Sequence, residues 1–135
     1  LATPDNIHYT PHYDDILQQV AYFFSERLER LYSLGVSDVI LDPGFGFSKS
    51  LDDNYLLLHH LRHLRHLFPQ APMLIGLSRK SMIYNPLDTT PDDALAGTIA
   101  LHTAALLSGA SLLRVHDVKA AVQTVQLIHR LQQTQ

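Results

Sequence analysis

The sequence predicts an α/β fold built on parallel strands. Three observations lead there. Helical periodicity and short strand-like runs alternate in the order helix, strand, helix, strand, helix, strand, helix. Such alternation gives parallel strands joined by right-handed crossovers. Each of the three strand-like runs, 39–41, 73–77 and 111–115, is followed at once by polar residues. Chemistry gathered at the carboxyl ends of several strands is the arrangement of a (β/α)8 TIM barrel or a doubly wound sheet. A complete barrel needs roughly 250 residues, and the 135 residues here offer three strands and four helices, about half of one.

Residues 1–12 mix Pro, Asp, Asn, Thr and His and read as a loop. Beyond them Tyr13, Ile16, Leu17, Val20, Phe24, Leu28, Leu31 and Leu34 recur at spacings of three and four, which predicts a helix over 13–34. Gly35 is placed to end it. The β-branched run Val39-Ile40-Leu41 predicts a buried strand. Residues 51–67 predict a single helix with the stripe Tyr55, Leu58, Leu61, Leu64 and Phe68, opened by Asp52 and Asp53 and closed by Pro69. Met73-Leu74-Ile75-Gly76-Leu77 is the second strand, and 82–88 is a loop or a single helical turn. Thr90-Pro91-Asp92-Asp93 has the marks of a helix start, with Thr at the N-cap and Pro at N1. The helix over 92–108 is rich in small residues (Ala94, Ala96, Gly97, Ala100, Ala104, Ala105), which suits close packing, and Gly109 ends it. The third strand, 111–115, leads into a last helix over 118–131 with the stripe Val122, Val125, Ile128 and Leu131.

Composition narrows the function. With 46% apolar and 17% charged residues the chain has a globular composition. A net charge of -3 provides no basic footprint for nucleic acid. No apolar run approaches the roughly 18 residues of a membrane helix. The absence of cysteine excludes disulfides and thiolate chemistry and fits a cytoplasmic location.

The first strand end, Leu41-Asp42-Pro43-Gly44-Phe45-Gly46-Phe47-Ser48-Lys49, combines a carboxylate, glycines that let backbone approach a ligand, and flat apolar faces. Together they suit a flat heterocycle; the alternative is a tight turn in which Asp42 caps the next helix. The second strand ends in Ser78-Arg79-Lys80-Ser81. In the third, Arg114 is costly to bury without an anion, and His116, two residues on, shares its face. This pair suits a phosphate or pyrophosphate, the alternative being a buried ion pair with an aspartate. Lys80 adds a third cation, expected to converge near Asp42 without touching it. His59, His63 and His66 share one helix face at a zinc-binding spacing. With no carboxylate or cysteine nearby to complete a site, a solvent- or partner-facing polar stripe is the expectation.

Leu41-Asp42-Pro43-Gly44-Phe45-Gly46-Phe47, Gly76-Leu77-Ser78-Arg79-Lys80-Ser81 and Arg114-Val115-His116-Asp117-Val118, in this order and at this spacing, closely resemble the carboxyl-terminal half of dihydropteroate synthase. The resemblance covers nearly the whole chain. It implies that residues 1–135 are the carboxyl-terminal part of one pterin-binding TIM-barrel domain. The implied reaction is the transfer that joins p-aminobenzoate to 6-hydroxymethyl-7,8-dihydropterin pyrophosphate, giving 7,8-dihydropteroate and pyrophosphate in folate biosynthesis. By resemblance Asp42 accepts hydrogen bonds from the pterin and Lys80 donates to it. Phe47 and Ser78 border the p-aminobenzoate site, Arg114 and His116 hold the pyrophosphate, and Gly46 and Gly76 join the substrate contacts. Lys80, Arg114 and His116 are the residues implied in catalysis.

The resemblance also implies magnesium, held by an asparagine of the amino-terminal half. It implies a homodimer, for which the helices over 92–108 and 118–131 are candidate surfaces. Ser48 stands where many members have glycine, a departure expected to stiffen the loop beside Phe47. The chain opens on Leu1 rather than Met, and by resemblance Leu1-Ala2-Thr3-Pro4 begins just past the family's fifth strand. The expectation is a fragment that is inactive alone. Two alternatives belong to other classes. One is a pterin- or folate-binding methyltransferase, which has no pyrophosphate to hold. The other is a non-catalytic half-barrel that needs a partner.

Overall fold

Ile16, Val20, Phe24 and Leu28 repeat every four residues, and this stripe buries one side of helix α1 (Asp15–Ser33) in the core. The structure is a computed structural model describing residues 15–134. The expected loop over 1–12 and the helix start at Tyr13 lie outside the described residues. Helix α1 ends at Gly35 as expected. Gly35 has φ +85°, its N–H bonds Tyr32 O, and Val36 N–H bonds Leu31 O, the Schellman pattern.

The centre of the fold is β1 (Leu74–Ile75), which pairs in parallel with β2 (Leu112–Leu113) in the register Leu74↔Leu112 and Ile75↔Leu113. Leu41 joins β1 through a parallel bridge to Met73. Leu74 N–H bonds Leu41 O, while Met73 O and Ile75 O accept from Ser111, Leu112 and Arg114. Backbone groups alternate sides along a strand, so the Leu41 segment and β2 flank β1 on opposite edges. Met73, Ile75 and Leu77 are fully buried beneath the helices.

Two strand expectations are corrected. Leu41 is buried, but Ile40 is 54% exposed and the pairing is a single bridge. Leu112 and Arg114 are also exposed, so Arg114 does not lie in a buried strand. Both segments flank β1, and among the described residues no strand pairs beyond either of them. An apolar run is buried only where something covers it.

The helices follow the expected order with shifted bounds. The single helix expected over 51–67 is two, α2 (Leu51–His59) and α3 (Leu61–Leu67), interrupted at His60 with φ -98° and ψ 14°. Ser50 caps α2 by accepting from Asp53 N–H at 3.1 Å. Leu58, Leu61, Leu64 and Phe68 are buried as expected and the stripe runs on across the break, with Asn54 and Leu57 added to it, whereas Tyr55 stays at the surface and donates to Met82 O. Ser81–Tyr84 forms the single turn α4, with Met82 and Ile83 buried. Thr90 does not cap a helix with its side chain. It precedes a 3-10 turn, Pro91–Asp93, and helix α5 (Leu95–Leu107) begins only after Ala94. The small-residue packing holds at Gly97, where a Cβ would strike Ile83 Cγ2. Helix α6 (Val118–Gln133) lies against α5, yet no residue of it is buried, and Val122, Val125 and Leu131 are open.

Candidate functional site

The loop after Leu41 is held in shape by its own polar groups. Asp42 Oδ1 accepts from Gly44 N–H at 2.9 Å, so Asp42 closes its own turn and does not cap α2. Asn54, buried in α2, accepts from Gly46 N–H at 2.8 Å and donates to Ser50 O. Lys49 Nζ donates to Gly44 O at 2.7 Å and Phe47 O at 3.2 Å. Burial lowers the Lys49 pKa to about 8, against the opposing pull of Asp42. Phe45 fills the core while Phe47 is 62% exposed.

Gly44, Gly46 and Ser48 all have positive φ. At Ser48 (φ +55°) a side chain costs roughly 1–2 kcal/mol in the left-handed region. Glycine there loses about 0.5–1 kcal/mol to chain entropy. Ser48→Gly is therefore expected to stabilise the protein by about 0.5–1 kcal/mol, read as a raised midpoint in urea unfolding. An unchanged or lower midpoint would show that the loop carries no strain at Ser48.

The turn after β1 is fixed from α5. Leu77 N–H donates to His102 Nε2 at 3.1 Å, and Arg79 N–H donates to the Thr98 hydroxyl at 3.0 Å. Arg79 itself has φ +54°. Strained backbone of this kind persists only where its surroundings over-determine it. Here the Arg79 guanidinium grips Asp117 through two bonds of 2.9 Å and donates to Pro91 O. That pairing raises the Arg79 pKa and lowers that of Asp117. Lys80 is thereby turned toward the first loop. Its Nζ donates to Phe45 O and stands 5.1 Å from the centre of the Phe47 ring. Burial, and next the Arg114 charge, hold its ammonium below the usual lysine range, with Asp42 pulling the other way.

At the end of β2, His116 meets Ser78: Ser78 Oγ lies 2.7 Å from His116 Nδ1 and 3.2 Å from the His116 backbone N. Gly76, Ser78, Lys80, Arg114, Val115 and His116 line one cavity of about 100 Å³. Arg114 lies across Gly76, where a Cβ would come within 2.6 Å of its Nη2. The expectation that the cations avoid Asp42 is corrected. Arg114 Nη1 bonds Asp42 Oδ2 at 2.9 Å, and both side chains are substantially exposed. Arg114 reaches Asp42 because nothing bulkier than a glycine stands at position 76. An exposed pair of this kind is worth about 0–1 kcal/mol, too little to lock either partner.

All eight expected substrate-contact residues thus meet at one end of the strands. Asp42, Gly46 and Phe47 come from the first loop, Gly76, Ser78 and Lys80 from β1 and its turn, and Arg114 and His116 from the end of β2. His59, His63 and His66 lie elsewhere, on the outer surface of α2 and α3. The sequence reading missed the supports behind the site: Asn54, Thr98, His102 and the Arg79–Asp117 pair. One signal was present. Thr98 and His102 stand four residues apart, on one face of a helix rich in small apolar residues.

A parallel α/β unit that gathers a carboxylate, an exposed aromatic ring, two cations and an imidazole at its strand ends has the arrangement that α/β barrels use for small molecules. The chain belongs to the pterin-binding enzyme family, whose sequence profile matches residues 2–116. It is 39% identical over 129 residues to the dihydropteroate synthase of Escherichia coli (strain K12), covering 94% of this chain and 45% of that protein. Among solved structures, the Yersinia pestis dihydropteroate synthase in a sulfonamide drug complex matches with TM-score 0.85 and 37% identity, over 98% of this chain and 48% of the other. The Xanthomonas albilineans dihydropteroate synthase in complex with 7,8-dihydropteroate matches with TM-score 0.84 and 41% identity, over 93% and 49%. The chain therefore has the architecture of part of a dihydropteroate synthase barrel. It spans less than half the length of the curated relatives it matches.

Proposed function

We propose that this chain carries the pyrophosphate-binding and part of the pterin-binding side of a dihydropteroate synthase. The cavity shared by Lys80, Arg114 and His116 carries this reading. In the proposed reaction the amine of p-aminobenzoate forms a C–N bond at the pterin methylene. The C–O bond to pyrophosphate breaks, the amine gives up a proton, and the electron pair leaves with the pyrophosphate. Arg114 takes oxygens of the leaving group through its fork, Lys80 adds a point charge, and His116 donates a hydrogen bond. Preorganised donors at a developing anion are the usual large contribution to such a step. Asp42 has the carboxylate to accept from the pterin ring once Arg114 turns to the pyrophosphate. Phe47, exposed at the rim, offers an apolar face to the p-aminobenzoate ring. A methyl-transfer enzyme would have no use for this group of cations.

Magnesium is expected from the family resemblance, but these residues do not make its site. Among the described residues no cluster of three or more His, Asp or Glu side chains is arranged for a metal ion, and Asp42 already serves Gly44 N–H and Arg114. Assembly as a homodimer is supported by the open apolar stripe of α6, and a cytoplasmic location by the lack of cysteine. Among the described residues no helix is long and apolar enough to cross a membrane.

The chain alone is expected to bind the pterin pyrophosphate ester weakly in calorimetry. It should release no pyrophosphate on turnover until the amino-terminal half of a relative is supplied. Turnover by the chain alone at typical enzyme rates, on the order of 1–1000 per second, would overturn the proposed division of the site. No heat of binding at millimolar ester would overturn the site itself.

A further inference from the structure

We propose that Ser78 sets the tautomer of His116, leaving the imidazole Nε2–H as the ring's donor to an anion in the cavity. Ser78 then acts as a positioning residue for His116, whatever its contact with substrate. Ser78 is only 6% exposed, and its hydroxyl oxygen has two partners among the described residues, both on His116. The backbone N–H of His116, 3.2 Å away, can only donate, so Oγ accepts there. The hydroxyl hydrogen must still be placed, and Nδ1 at 2.7 Å is the acceptor in reach. Were Nδ1 protonated, both contacts would bring hydrogens to Oγ, and the Ser78 hydrogen would have no protein acceptor among the described residues. A neutral imidazole that accepts at Nδ1 carries its hydrogen on Nε2. His116 lines the cavity beside Lys80 and Arg114, so the cations supply charge and His116 supplies a directed N–H.

The neighbours of each residue keep the pair facing. Arg79 follows Ser78 and Asp117 follows His116, and these two are joined by two bonds of 2.9 Å. Thr98 holds the Arg79 N–H from α5. The two turns are therefore fastened one residue beyond the serine–histidine contact, and neither slides without breaking the ion pair.

The tautomer itself needs no ligand; its use toward an anion rests on the function proposed above. Long-range proton–nitrogen correlation spectra of the 135-residue chain, at a pH where His116 is neutral, read the tautomer directly. The expected spectrum shows the Nε2–H form in the parent chain and in Ser78→Thr, which keeps the hydroxyl. Ser78→Ala is expected to shift the tautomer ratio about tenfold toward Nδ1–H. With inorganic pyrophosphate as the probe, Ser78→Ala should bind several-fold more weakly, and Ser78→Thr should restore binding. An Nδ1–H form in the parent chain, or a ratio unmoved by Ser78→Ala, overturns the proposal. If Ser78→Ala fails to fold, an Nδ1–H form in the parent chain still overturns the proposal. An Nε2–H spectrum with no pyrophosphate binding would confirm the tautomer and count against the proposed function.

Discussion

Acidification from pH 6.5 to about 4 is expected to cost this fold about 3 kcal/mol of stability through one side chain, His102. His102 is 2% exposed, and its Nε2 accepts the Leu77 N–H. Burial, with the nearby Lys80 charge second, lowers its pKa from 6.5 to about 4. Between those values the unfolded chain takes up a proton that the folded chain refuses. Stability therefore rises with pH across that window and is lost as pH falls through it. Each unit of separation is worth about 1.4 kcal/mol, hence the total. Protonation would also deny Leu77 N–H its acceptor at the point where β1 turns toward Ser78. Urea unfolding at a series of pH values measures the slope. His102→Gln keeps an amide oxygen that can accept from Leu77 but does not titrate, so its stability should vary less between pH 6.5 and 4. Identical slopes in the two proteins would show that His102 is not the group responsible. Asp117, whose pKa is lowered by Arg79, gives up its contribution only below the usual carboxylate range, outside the His102 window.

The parts legible in the sequence are those whose signal is local. The stripe Ile16, Val20, Phe24 and Leu28, the helix end at Gly35, and the polar residues that follow each strand are written in consecutive letters. The structure places the stripe and the helix end as expected, and the second and third strand ends share one cavity. What was not legible depends on neighbours distant in sequence. Nothing in Leu58-His59-His60-Leu61 marks a break, since no Pro or Gly stands there, yet the helix is interrupted at His60. Ile40 and Leu112 read as buried because they are apolar, but burial is set by what pairs beyond each segment. Arg114 was legible as a cation at a strand end. Its partner was not, because Asp42 lies 72 residues away and is brought into reach only by the parallel register. The same holds for Arg79 and Asp117, joined across 38 residues.

Arg114→Ala in a complete synthase carrying this sequence is expected to lower kcat/KM for the pterin pyrophosphate ester ten- to hundred-fold. One charge-assisted hydrogen bond is worth roughly 1.5–3 kcal/mol, and that converts to the stated loss. Gly76→Ala should mimic part of this without touching a charged group. Its Cβ would meet the guanidinium at 2.6–3.0 Å, and the half-exposed end of Arg114 is free to move aside. The fold should keep nearly all its stability while the cation leaves its position over the strand. The bare pterin distinguishes a pyrophosphate clamp from a structural ion pair. Losing Arg114 also deprives Asp42 of its partner, but that exposed pair is worth at most about 1 kcal/mol. Affinity for a pterin without pyrophosphate should therefore change by no more than about fivefold. Calorimetry with both ligands decides the matter. If Arg114→Ala weakens the bare pterin as much as the ester, Arg114 serves to orient Asp42. If Gly76→Ala leaves the ester affinity untouched, the glycine is not there for the arginine.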